Sequence, residues 1–197
     1  MDVSVLHSLT EDLASYLSEV TRGDLGCMAP SSARDVRGVY RHLIDRSIAV
    51  ATAIAAEPIS GGQWGGMLDG TSPEAAADPY YGSAGLEVGY RYAAGLVEVA
   101  FSSITDPTRR CRVPGLESEI DIATLYEEYI GDVVIHTWDL ACALGLTYEP
   151  PSDIARRVLR STVLRMTRAP STATGASPEF VDADAFASLL TLSGRTR

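Results

Sequence analysis

Asp132 and His136 stand four residues apart in the run Asp132-Val133-Val134-Ile135-His136-Thr137-Trp138-Asp139-Leu140-Ala141. On an α-helix, positions i and i+4 lie one above the other, so this carboxylate and this imidazole project from one face. Most of the run is apolar, and an acid and a histidine pointing together out of such a helix need a compensating partner. One divalent cation chelated by both would supply it. His42, inside another amphipathic segment, offers a third ligand. Two imidazoles and one carboxylate leave coordination positions open for water, a thiolate or a substrate oxygen, as in a catalytic rather than a structural metal site. The cation matters because side chains alone cannot lower the pKa of a bound thiol or water by several units. The plainer reading is a hydrogen-bonded core histidine and an accidental D-x-x-x-H spacing. Spacing alone leaves both open.

The elements that must position these residues are helical. Leu6, Leu9, Leu13, Leu17 and Val20 recur at spacings of three and four, which predicts a first helix over residues 3–20. Asp35 is placed to cap a second, from Val36 to Ala56, which carries His42 and ends before Pro58. A third is expected from Leu86 to Ile104, a fourth from Asp121 to Leu144 with Gly145 just past its end, and a fifth from Ser152 or Asp153 to Arg168. Residues 58–83 hold six glycines, three prolines, Trp64, Tyr80 and Tyr81. A loop this long is either functional, here a flap over one end of the fold, or a surface insertion. The tail from Ala169 to Arg197 reads as loosely structured, with a short helical turn from Asp184 to Leu190. No strand series or internal repeat stands out, so the expected fold is an all-α bundle.

Bulk properties narrow the function. The chain has 197 residues, 46% apolar and 21% charged, enough for one soluble domain with its own core. A net charge of −10 disfavours nucleic acid as a partner. No apolar run suits a membrane span and no secretory leader is visible, so the expected location is the cytoplasm. Cys27, Cys111 and Cys142 are odd in number and widely spaced, which suggests neither a zinc ribbon nor a disulfide framework. His7 has no partner in view and reads as a surface residue.

The string His136-Thr137-Trp138-Asp139-Leu140-Ala141, with Ala143 and Gly145, resembles the H-x-W-D-L-A-x-A-x-G motif of the DinB-like family that includes mycothiol-dependent maleylpyruvate isomerase. Val36-Arg37 with His42-Leu43 looks like that family's first ligand helix, and Leu189-Leu190-Thr191-Leu192-Ser193-Gly194-Arg195 like its L-L-x-L-x-G-R close. The resemblance implies a four-helix bundle with a long loop between helices two and three and a short C-terminal extension. It implies a divalent metal, zinc first, with nickel, iron or manganese as alternatives, held by His42, Asp132 and His136. It further implies a low-molecular-weight thiol such as mycothiol as co-substrate. Trp138 and Asp139 would support the ligands, and Arg34 would border the cavity; read from their own helices, Tyr126, Tyr129 and Tyr90 either line that cavity or fill the core with a wet hydroxyl. Two departures stand beside it: the family usually has cysteine where Ser31 stands and tryptophan where Arg34 stands. The isomerase also carries a second, C-terminal domain, for which this chain has no room, so the isomerase reaction itself is less expected than the metal site.

The expected organisation is a metal-binding bundle over residues 1–168 and an extension over 169–197 packed on the same domain. The expected function is metal-dependent activation of a thiol or water toward a small electrophilic metabolite, with no protein nucleophile. Two alternatives stay open: a metal-independent isomerase or cyclase of a biosynthetic pathway, and a non-catalytic small-molecule-binding accessory protein. The expected partner is a small molecule; a homodimer is left open.

Overall fold

The computed structural model describes residues 1–30, 34–55, 85–168 and 184–195. The proposed flap and Ser31 lie outside the described residues. The fold is mostly helical, as the periodicity predicts. Four long helices share the core: α1 (Val3–Ser18), α2 (Val36–Ile54), α3 (Leu86–Ser102) and α4 (Ile122–Ala143). Helices α1 and α2 each pack against both α3 and α4. A fifth helix, α5 (Ser152–Arg168), lies on α4, and a short sixth, α6 (Ala185–Leu192), packs on α5. No described helix is long and apolar enough to cross a membrane.

Helices α1, α2, α4 and α6 start where a short acidic side chain takes up one of the first free N–H groups, whereas α3 starts at Gly85 with no side-chain cap. Asp35 accepts from the Gly38 N–H at 2.8 Å and opens α2. Asp121 does the same for Thr124 at 2.8 Å and opens α4, while Asp2 caps α1 through Ser4 at 3.0 Å. At the other end of α4, Gly145 takes a φ of +69°, the left-handed conformation expected of the residue after a helix.

Burial follows the 3.6-residue period. Leu6, Leu9, Leu13 and Leu17 of α1 meet Tyr90, Ala94, Val97 and Phe101 of α3 in one apolar cluster. Helix α4 is buried nearly all round, because α1 and α2 cover one side and α5 the other. Gly131 permits that second contact: a Cβ there would stand 3.3 Å from Val158 Cγ1. A charged or polar side chain on the inner part of α4 is therefore enclosed by protein.

The connection before α4 holds the described strands. Arg110–Cys111 pairs antiparallel with Ile120–Asp121, a two-residue ladder that the sequence shows only as a Pro- and Gly-containing link. It sets the start of α4 against Pro107, whose carbonyl accepts from Ala123 N–H at 2.9 Å.

Candidate metal centre

His42 and Arg46 sit one turn apart on α2, and Asp132, His136 and Asp139 follow one another on α4. The packing of α2 on α4 brings the two imidazoles together: the His42 and His136 rings lie 4.8 Å apart, edge to face at 74°. His42 is half-buried, and its imidazole makes no hydrogen bond among the described residues. Its pKa is pushed down to about 4, first by burial, then by the proximity of His136 and the positive charges of Arg34 and Arg46, with Asp132 opposing. At neutral pH it is therefore a neutral imidazole, the form that binds metals.

His136 is buried, and its Nδ1 lies 3.1 Å from Asp139 Oδ2. An ionised carboxylate only accepts, so Nδ1 carries the hydrogen, which in the neutral ring leaves the lone pair on Nε2. Asp139 is fully buried. Burial would raise its pKa, but hydrogen bonds from Arg195 and His136 outweigh that and hold it below the usual carboxylate value. Arg195 grips both of its oxygens, with Nε 2.8 Å from Oδ1 and Nη2 on Oδ2.

The third predicted ligand is oriented differently. Asp132 Oδ2 accepts from Arg46 Nε at 2.9 Å. Arg46 also reaches Glu128 at 3.6 Å, and Glu128 reaches Arg165 at 3.5 Å, so the acid heads an ion-pair chain across α2, α4 and α5. Among the described residues, no three His, Cys, Asp or Glu side chains stand close enough together to hold a metal ion. The two histidines converge, while the acid is drawn to a guanidinium. Each of the three nonetheless retains a donor atom with no hydrogen bond among the described residues: the ring nitrogens of His42, Nε2 of His136 and Oδ1 of Asp132. Metal-ligating histidines and carboxylates ordinarily have their other polar atom held by a neighbour; His136 and Asp132 meet that condition, and His42 does not.

The remaining predicted residues separate. Arg34 is exposed, with its charge reaching His42. Trp138 is buried in the core. The Tyr129 hydroxyl is 2.9 Å from Ser47 Oγ, between α2 and α4, while burial pushes its pKa up to about 12. Tyr126 is turned to the other end of the fold, where its hydroxyl donates to the Asp2 carbonyl at 2.7 Å and its ring packs on Phe101. Tyr90 is fully buried on α3. His7 is largely exposed and does have a partner, Glu98 Oε2 at 3.3 Å. Sequence reasoning missed Arg46 and Arg195. Arg46 stands four residues after His42, a spacing that already places it on the same helix face. Arg195 closes the Leu-Ser-Gly-Arg ending, and nothing local shows which acid it seeks.

No family model matches this chain, and neither a curated protein nor a solved structure matches it.

Proposed function

We propose that this chain is a divalent-metal-dependent enzyme of DinB-like type, a four-helix bundle with C-terminal additions, acting on a small electrophilic metabolite. The observation that carries the proposal is the pair of facing imidazoles, one neutral through burial and the other held by Asp139 so that Nε2 is available. His42 and His136 would hold the cation as neutral nitrogen donors, and Asp132 Oδ1 would offset its charge while Arg46 keeps Oδ2. When bound, such a cation lowers the pKa of a small thiol or water so that the nucleophilic form exists near neutral pH. Arg34, at the exposed edge, adds a positive field that favours an anionic nucleophile such as a thiolate.

The Arg46–Asp132 ion pair favours a second reading. If the guanidinium is the cation Asp132 is built for, the site works without metal, as an isomerase or cyclase, or only binds a small molecule. Elemental analysis of the purified protein separates the two: the first requires about one divalent metal per chain, the second none. His136→Ala should then lose metal and turnover together while its far-ultraviolet circular dichroism stays helical. Thiol-dependent turnover that survives in the metal-free variant would remove the first reading.

A further inference from the structure

Just past the end of α6 stands Arg195, which reaches His136 through Asp139, 56 residues earlier in the sequence. We infer that Asp139 and Arg195 are positioning residues for His136, so that the end of α6 sets which ring nitrogen faces His42. The inference rests on His136 acting as a donor, but the hydrogen-bond arrangement it invokes exists without any metal.

Asp139 lies three residues after His136 and is fully buried, and the Arg195 side chain is only 10% exposed. Both carboxylate oxygens are engaged by the guanidinium, Oδ1 by Nε at 2.8 Å and Oδ2 by Nη2, while Oδ2 also faces His136 Nδ1 at 3.1 Å. A carboxylate held on both oxygens by one planar fork cannot rotate away, so its acceptor stays aimed at Nδ1. Arg195 is itself fixed. Gly194 ends α6 with φ +75°, and the Arg195 N–H turns back to the Leu190 carbonyl at 2.8 Å. Its Nη1 donates to the Ser193 carbonyl at 2.9 Å. Phe186, Leu189 and Leu190 bury the helix that carries this turn. An unbroken line of fixed contacts thus runs from the packing of α6 to one imidazole. A pair serving stability alone would need no histidine, and buried ion pairs are in general weak stabilisers compared with apolar packing.

The test uses the full chain, metal-free and labelled with nitrogen-15 in histidine, at mildly alkaline pH where imidazoles are neutral. Two-bond proton–nitrogen correlation spectra report the tautomer of each ring. In the unaltered protein His136 is expected as the Nδ1–H tautomer. Arg195→Gln should spread the proton over both nitrogens and weaken zinc binding, read by competition with a chromophoric chelator, by ten- to a hundredfold. Arg195→Lys, which keeps the charge without the fork, should lie between. A pure Nδ1–H tautomer with unchanged zinc affinity in Arg195→Gln overturns the inference. Should that variant fail to fold, Arg195→Lys decides: a mixed tautomer supports it and a pure one overturns it. If the unaltered protein binds no zinc but Arg195→Gln still disperses the tautomer, the metal reading fails and the positioning role stands.

Discussion

Helix α4 carries two arginine–carboxylate pairs near its opposite ends, and they do different work. Near its start, Arg157 grips Glu127 through Nη2 at 2.7 Å and Nε at 2.9 Å, with both side chains about a third exposed. This pair lines a groove of about 620 Å³ between α4 and α5, beside Arg156, Arg160 and Leu164. Near its end, Arg195 grips Asp139 with the carboxylate fully enclosed. In the wall of that groove the Arg157–Glu127 pair is partly open to water. The enclosed pair hands its hydrogen bond on to an imidazole that faces a second imidazole. The proposed site is thus not picked out by a groove or by surface charge. The mark is a buried polar chain that ends on an uncommitted donor atom.

Removing one partner from each pair should expose the difference. Asp139→Ala strands a nearly buried guanidinium and is expected to cost about 3–5 kcal/mol of unfolding free energy, measured by urea titration. A loss as small as that of a surface pair would break the contrast.

Acid should separate the two ends next. The His42 pKa falls from an ordinary 6.5 to about 4 in the fold. Between those values His42 binds more proton in the unfolded chain than in the folded one, so its contribution to stability is expected to decline as pH drops from 6.5 toward 4. Metal-free His42→Gln should show a flatter profile across that window, whereas Arg157→Met should not alter its slope.

A smaller effect is expected at Gly194, whose φ of +75° an alanine adopts only with strain of about 1–2 kcal/mol. Open space surrounds the position, so strain and displacement of Arg195 are the whole effect. Glu127→Ala should be the mildest change, about 1 kcal/mol or less, because water already screens the pair. Equal losses in Glu127→Ala and Asp139→Ala would erase the distinction between the two ends of α4.

The helices were legible because their causes are local. The leucine spacing of α1, the Asp35 cap of α2 and Gly145 after α4 each act within a few residues, and the predicted limits fall within two residues of those observed for these helices. The 184–190 turn proved to be a helix over Ala185–Leu192 with its own buried face. The approach of His42 to His136 was readable only as an expectation, since it depends on α2 lying against α4. The partners of Arg46 and Arg195 went unread because a guanidinium's partner is chosen in three dimensions: nothing within α6 points to an acid 56 residues earlier. Tyr126 shows the converse. It lies on the same helix as His136, but ten residues of helix at about 1.5 Å each carry it to the other end.

X-ray absorption of the zinc-loaded protein addresses the central claim most directly. Two imidazole nitrogens at about 2.0–2.1 Å, with an oxygen at about 2.0–2.2 Å, are expected for the unaltered chain. His42→Ala and His136→Ala should each remove one imidazole from the spectrum or abolish binding. Zinc that fails to bind, or that binds with no imidazole signature, would contradict the account.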